Sequence, residues 1–124
     1  MTTSALNAHK FYKEVATNKL LWTIKDANGF PAPINTEGKR AQPFWSSKSR
    51  AELIIKSVAA YSSFETYELS LDVFLDRWVS GLTQDGILVG VNWSGTSATG
   101  YDIEPNQVAL NILAQNNSNE QSNS

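Results

Sequence analysis

Polar and aromatic side chains lie at the ends of two short apolar segments, residues 41–45 and 87–93. These side chains are the ones best suited to chemistry. They are Trp45, Ser46, Ser47, Arg50, Asn92, Trp93 and Ser94. If the two segments are strands and parallel neighbours, these side chains meet at one edge of a sheet. Ligands tend to bind beyond the carboxyl ends of strands in open sheets. The sequence therefore predicts a small-ligand or anion site at these strand ends.

The first of these groups lies in a basic segment. Residues 39–50 carry four positive charges and no negative one, and a helix is predicted to begin at Ser47 or Ser49. Free backbone N–H groups, hydroxyls and the Arg50 guanidinium in one place suit an anion. Ordinary helix capping beside solvated lysines accounts for the same residues and is the alternative.

Composition excludes most catalytic chemistry. The chain has one histidine, His9, and no cysteine, so hydrolase triads, zinc–thiolate sites and disulfides are not expected. No glycine-rich phosphate loop is present. Asp72 and Asp76 lie four residues apart, but on the predicted helix face away from the apolar stripe, where solvated carboxylates are expected. We therefore expect no catalytic residue, no metal site and no cofactor.

Length and hydropathy indicate one domain in the cytoplasm. The 124 residues match the usual domain size of about 100–150 residues, and we assign the domain to residues 1–114. Every residue from 115 to 124 is polar, so this tail is predicted to be disordered. No apolar run approaches the roughly 20 residues of a membrane span, and residues 1–15 show no export signal.

Charge is distributed unevenly along the chain. Residues 1–56 hold nine of the ten Lys and Arg residues and four of the twelve Asp and Glu residues, whereas residues 57–124 hold only Arg77 against eight acids. Either folding mixes the two halves, or the surface is dipolar and steers a charged partner. The net charge of −2 and the lack of a recognisable motif argue against nucleic acid.

Periodicity predicts helices and strands in mixed order. A first helix begins after Thr3 or Ser4 and ends near Asn18, because apolar residues recur every three or four positions. Residues 20–45 indicate a three-stranded meander. Its middle strand, residues 30–35, contains two prolines and should lie at an edge.

The second half of the chain adds a strand at residues 64–69, a helix after Ser70 and a short last helix that begins at Pro105. Residues 94–101 show no periodicity and are predicted to be a loop.

The apolar segment that ends at Trp93 is predicted to be an interior strand, residues 87–93. Aliphatic residues there do not alternate with polar ones, and turn signals flank the segment on both sides. Gly90 in its middle indicates a bulge or a close backbone neighbour. Together these elements predict an α+β fold with a small mixed or antiparallel sheet of about five strands and three to four helices.

Six short motifs in this order resemble a known family. They are Phe11-Tyr12-Lys-Glu-Val15, Leu21-Trp22-Thr-Ile-Lys-Asp26, Pro43-Phe44-Trp45-Ser46-Ser47 followed by Arg50-Ala51-Glu52, Leu69-Ser70-Leu71-Asp72-Val73-Phe74-Leu75, Trp78-Val79-Ser80-Gly81-Leu82 and Gly90-Val91-Asn92-Trp93. The chain resembles the bacterial family called domain of unknown function 2750 over about residues 8–113. The resemblance implies a fold and a bacterial cytoplasmic origin, and it carries no activity, cofactor or functional residue.

Two classes of function follow from the sequence. The first is a non-enzymatic binding or regulatory domain that contacts a protein partner, in the manner of an immunity protein, or a second copy of itself. The alternative is a small-ligand or anion-binding protein, or a weak enzyme, with its site near Trp45 and Trp93.

Overall fold

The computed structural model describes the backbone of residues 2–122 and the side chains of residues 2–115, and within that part it has four helices and five strands. The elements are α1 (Thr3–Asn18), β1 (Leu20–Lys25), β2 (Ala41–Phe44), α2 (Lys48–Ser57), β3 (Glu65–Ser70), α3 (71–85), β4 (Leu88–Ser94), β5 (Thr99–Ile103) and α4 (Pro105–Ser122). The predicted α+β class is confirmed. The last helix is longer than the short one predicted, because α4 continues to Ser122. The side chains of residues 116–124 lie outside the described part, and the predicted disorder of residues 115–124 stays a prediction.

The strands form two sheets that a single bridge connects. β1 and β3 pair antiparallel, while β4 lies between β2, which is parallel to it, and β5, which is antiparallel. The bridge joins Trp22 to Trp45, and each backbone N–H donates to the other's carbonyl, at 2.8 and 2.7 Å. The spatial order is therefore β3-β1-β2-β4-β5, and β4 is an interior strand as predicted.

The predicted meander over residues 20–45 is wrong. Apart from an isolated bridge, residues 30–35 form no strand, because Pro31 and Pro33 have no N–H to give to a ladder. The chain turns after β1, where Asp26 and Gly29 exchange backbone hydrogen bonds, and it then continues as an irregular segment. β2 is buried at all four positions, and it finds its partner in β4 instead.

The fifth strand lies where the sequence predicts a loop. β5 pairs with β4 after a turn in which the N–H of Ala98 donates to the carbonyl of Gly95 at 3.1 Å. Gly95 has a φ of +81°, which glycine adopts without a steric penalty. The prediction fails here because β5 mixes small, polar and aromatic residues without alternation.

Serine and threonine side chains begin three of the helices. Thr2 accepts a hydrogen bond from the N–H of Ala5 at the start of α1, and Ser47 does so from Arg50 at the start of α2. Ser70 caps α3 in the same way. These oxygens satisfy N–H groups that have no partner within a helix. α3 is π-helical over Phe74–Trp78.

The two faces of β4 contact two separate hydrophobic clusters. Val89 and Val91 belong to a cluster built mainly from α1, α3 and α4, whereas Leu88 belongs to a second one with residues of α2. Neighbouring side chains point to opposite faces of a strand, which explains this division. β4 is buried from Leu88 to Trp93, as its sequence predicts.

A bulge in β4 moves Trp93 from one face to the other. By strict alternation Trp93 would share the face of Val89 and Val91, but the register shifts between Val91 and Ser94. The indole lies instead against two glycines. A Cβ added to Gly90 would lie 2.4 Å from the indole Nε1, and one added to Gly100 would lie 2.9 Å from its Cδ1. The close neighbour of Gly90 is therefore a side-chain ring, rather than the backbone that the sequence predicts.

Replacing Gly90 by alanine tests this packing. We expect Gly90→Ala to lower the free energy of unfolding by about 1–3 kcal/mol in urea denaturation, because the indole must leave its place. Gly81→Ala is the matched control. Nothing lies within 4 Å of its added Cβ, so this helical substitution should raise stability by about 0.5–1 kcal/mol. Equal stabilities of Gly90→Ala and the parent chain would contradict the packing.

Candidate functional site

The parallel pairing of β2 and β4 brings the two predicted groups of residues together. The indole N–H of Trp45 donates to the carbonyl of Trp93 at 2.9 Å, and the backbone N–H of Ser46 donates to Oδ1 of Asn92 at 2.9 Å. The two groups therefore meet at one edge of the sheet, as expected if β2 and β4 are parallel neighbours. Trp45, Ser46 and Asn92 are all buried.

Asn92 connects three elements through its side-chain amide. Its Nδ2 donates to the carbonyl of Asn7 in α1 at 3.1 Å and to Oγ of Ser46 at 3.0 Å, while its Oδ1 accepts from the N–H of Ser46. Its φ of +51° lies in the left-handed region, which asparagine tolerates better than most residues. Ser94 adds a second contact with α1, since its Oγ accepts from Nδ2 of Asn7 at 3.1 Å.

A carboxylate of α1 lies at the predicted anion position. Ser46 Oγ donates to Oε1 of Glu14 at 2.6 Å, and Nε of Arg50 lies 3.7 Å from the same oxygen. Ser47 is engaged in capping α2. An anion that bound here would have to displace Glu14, so the anion-binding role of these residues stays a prediction.

Trp93 is the member of the predicted set that lines a cavity. This cavity has a volume of about 480 Å³ and lies between residues 33–36, Tyr61 and the β5 hairpin. Trp45, Ser46, Ser47, Arg50, Asn92 and Ser94 do not line it. The cavity, called the β5 cleft below, is lined by Pro33, Ile34, Asn35, Thr36, Tyr61, Trp93, Ser97, Ala98, Thr99, Gly100 and Asp102.

Asp102 is held in the β5 cleft by two neutral donors. Trp93 donates its indole N–H to Oδ1 at 2.8 Å, and Asn35 donates from Nδ2 to Oδ2 at 3.0 Å. Asn35 is fixed in turn, because its Oδ1 accepts from the backbone N–H groups of Glu37 and Lys39. The carboxylate position is therefore set by an indole and by a folded loop.

The charge of the β5 cleft is negative. Asp102 is the one ionisable carboxyl group among its lining residues, which include no Lys, Arg or His. A neighbouring recess of about 240 Å³ shares Asp102 and Asn35 and adds Glu37. Tyr61 contributes an aromatic ring, and burial raises the pKa of its hydroxyl above 10.0, so it stays neutral at physiological pH.

Sequence reasoning missed Asp102, Asn35 and Tyr61, which are distant from one another in the chain. A usable signal was present in the glycines. Gly90 and Gly100 lie on either side of Trp93 in the sequence, and small residues on neighbouring strands allow a large ring to lie flat on a sheet. An acid two residues beyond Gly100 would then face the same way, since side chains alternate along a strand.

Comparison with protein families identifies the chain. A family model described as "Protein of unknown function (DUF2750)" matches residues 8–112. The chain belongs to the DUF2750 family. The resemblance seen in the sequence is thus confirmed, and the six motifs that carry it lie in the strands and helices around β4.

Other comparisons add little to this DUF2750 protein. No curated protein matches it. One similar solved structure is "Anabaena Tic22 (protein transport)", with 13% sequence identity and a TM-score of 0.39 over 72% of this chain. This chain spans 46% of that one, and a likeness at this level carries no argument.

The described residues of the DUF2750 chain contain neither a membrane-spanning helix nor a cluster of metal ligands. None of their helices has the length and apolar character needed to cross a bilayer. No group of three or more His, Asp or Glu side chains there is arranged to hold a metal ion.

Substituting Asn92 tests how much its amide holds the strand ends together. We expect Asn92→Ala to destabilise the protein by about 2–4 kcal/mol, because buried partners lose their hydrogen bonds and alanine is strained at this φ. Asn92→Gly loses the same hydrogen bonds, but glycine is not strained at this φ. It should therefore be less destabilised than Asn92→Ala, by about 1 kcal/mol in urea denaturation. If both variants match the parent chain, the amide is not a tie between α1, β2 and β4.

Proposed function

We propose that this DUF2750 protein is a non-enzymatic binding domain that pairs its edge strand β3 with an extended, basic segment of a partner protein. The observation that carries the proposal is an open strand edge bordered by acids and aromatic rings. Addition of a strand to a sheet edge is a common mode of peptide recognition, in which the backbone gives affinity and the side chains give specificity.

β3 has one strand neighbour, β1, in the described part of the chain. The N–H of Leu71 donates to the carbonyl of Lys19 at 2.9 Å, and such bonds recur at every second residue of an antiparallel pair. It follows that the N–H and C=O groups of Thr66 and Glu68 point away from β1. They form the row to which an added strand would bind.

The flanks of β3 are acidic. Four exposed acids lie on it or just after it: Glu65, Glu68, Asp72 and Asp76. Arg77 is the one basic residue between positions 65 and 78, and Lys25 of β1 lies opposite Glu65, so the four acids outnumber two bases. Such an excess attracts a segment rich in Lys or Arg and repels an acidic one.

Aromatic rings lie on one face of the β1–β3 sheet. Phe30 packs edge to face on Tyr67, with ring centroids 5.3 Å apart, and on Trp78, at 5.0 Å. Phe30 and Tyr67 are more than a third exposed. The ammonium of Lys25 lies 5.1 Å from the centre of the Tyr67 ring, so this ring already contacts one cation. A partner side chain beside Tyr67 would meet apolar and cation-accepting surface.

A second copy of the chain fits this edge poorly. Antiparallel pairing of two β3 strands would place the acids of one copy against those of the other, and β3 itself contains no basic residue. Like charges opposite each other destabilise a strand pair. A different protein with basic residues is therefore the better partner, whether it is regulated or neutralised by the contact.

A designed peptide tests this proposal. An extended peptide that alternates lysine and valine should bind the full chain. On binding, it should slow amide hydrogen exchange at Thr66 and Glu68, since their N–H groups enter new hydrogen bonds. The same peptide with glutamate in place of lysine, or with methylated backbone nitrogens, should bind at least about tenfold more weakly, a difference of about 1.4 kcal/mol.

Charge reversal locates the contact. Glu65→Lys combined with Glu68→Lys should weaken binding by about tenfold or more. The control combines Glu37→Lys with Asp85→Lys, which changes the net charge equally at exposed positions outside β3. Equal losses in the two double variants, or binding that leaves exchange at Thr66 and Glu68 unchanged, would show that β3 is not the site.

A further inference from the structure

We infer that the β5 cleft is a binding site for a small organic cation, an ammonium group on a compact apolar body. The inference goes beyond the β3 contact, since it concerns other residues at the opposite edge of the strand order. The cleft volume of about 480 Å³ lies within the range of about 300–1,000 Å³ typical of small-molecule sites.

The charge of the cleft selects the sign of the ligand. Asp102 receives hydrogen bonds from Trp93 and Asn35, and both donors are neutral. Its negative charge therefore has no cationic partner among the lining residues. An ionised carboxyl group has about four acceptor positions, so two remain for a ligand. An anion such as phosphate would meet this carboxylate and no basic lining side chain.

Two aromatic rings select the shape of the ligand. Trp93 is among the most deeply buried of the lining residues, at 6% exposure, and Tyr61 lies at the wall. Ammonium groups bind to the faces of such rings, most strongly to tryptophan. The indole cannot slip toward the sheet, because Gly90 and Gly100 already lie against it. A carboxylate beside two aromatic rings is a suitable set of groups for an alkylated ammonium ion.

The remaining lining residues limit the polar groups that the ligand can carry. Pro33, Ile34 and Ala98 are apolar, whereas Thr36, Ser97 and Thr99 each add a hydroxyl. No lining side chain is cationic, so the anionic end of a zwitterion would meet hydroxyls but no opposite charge. A short cation with methyl or methylene groups satisfies both the rings and the walls.

Calorimetric titration of the full chain distinguishes a cation site from a merely apolar one. Choline and tetramethylammonium are the probes, and 3,3-dimethyl-1-butanol is the uncharged counterpart of choline with nearly the same shape. Choline should bind at least tenfold more tightly than this alcohol, and it should shift the NMR signal of the Trp93 indole N–H. Equal affinities, or no binding of either cation, would overturn the inference.

Two variants tie the affinity to the cleft. Asp102→Asn keeps an acceptor for Trp93 but removes the charge, and it should weaken choline binding at least tenfold. Ser97→Lys places a cation at the exposed rim and should reduce binding similarly without disturbing buried residues, which keeps the test valid if Asp102→Asn folds poorly. Asp85→Asn, at an exposed carboxylate outside the cleft, should bind choline as the parent chain does. Full affinity in both Asp102→Asn and Ser97→Lys would place the cation elsewhere.

Discussion

The left-handed conformation of Asn92 is the constraint on which the rest of the structure depends. It interrupts the pairing of β4 with β5 between Val91 and Ser94, and it brings Trp93 to the face of β4 that carries Leu88. The same residue turns its amide toward Ser46 and Asn7, so one backbone conformation fixes both a large ring and the contact of α1 with two strands. Strained conformations of this kind persist where surrounding contacts over-determine them, and the hydrogen bonds of Asn92 provide that determination.

The two hydrophobic clusters follow from this arrangement. If β4 continued without a bulge, Trp93 would enter the cluster around Val89 and Val91, which already contains Phe11, Phe44 and Phe74. Overpacking of a dense core is unfavourable. Placed on the other face, Trp93 joins Trp45 and Ala98 in the second cluster, and its N–H reaches Asp102. The bulge in β4 therefore avoids overpacking of the cluster around Val89 and Val91, and it also places Trp93 in the wall of the β5 cleft.

Local patterns predicted the parts of the fold that depend on local chemistry. The aliphatic run of β4 and the serines that cap α2 and α3 were recognisable, because burial on both faces and helix capping each leave a mark within a few residues. The two errors concern strands. Prolines at residues 31 and 33 favour an edge strand over an interior one, but here they prevent a strand altogether. β5 has no pattern of its own, since its pairing is imposed by β4 and the turn at Gly95.

The candidate site shows the same limit. The contact of Trp45 with Trp93 depends only on two strands being parallel neighbours. The sequence therefore predicts this contact on that one condition. The position of Glu14 beside Ser46 and Arg50 required the packing of α1 on the sheet, which no spacing in the sequence reveals. The hydrogen bond from Asn35 to Asp102 is equally non-local, because it joins an irregular loop to a strand that the sequence does not predict.

The uneven charge of the chain becomes an uneven charge of the strand order. β1 and β2 come from the basic half of the sequence and lie inside the order β3-β1-β2-β4-β5, whereas both edges, β3 and β5, come from the acidic half. Acids therefore lie at both edges, although Lys25 of β1 lies opposite Glu65, and the rings of Tyr67 and Trp93 lie near one edge each. Cations are attracted to carboxylates and to the faces of aromatic rings alike. The two edges differ in form, since β3 offers an open row of backbone groups and the β5 cleft offers a half-buried carboxylate. An extended basic chain suits the first and a single ammonium group suits the second, so the two proposed ligands share a charge and differ in shape.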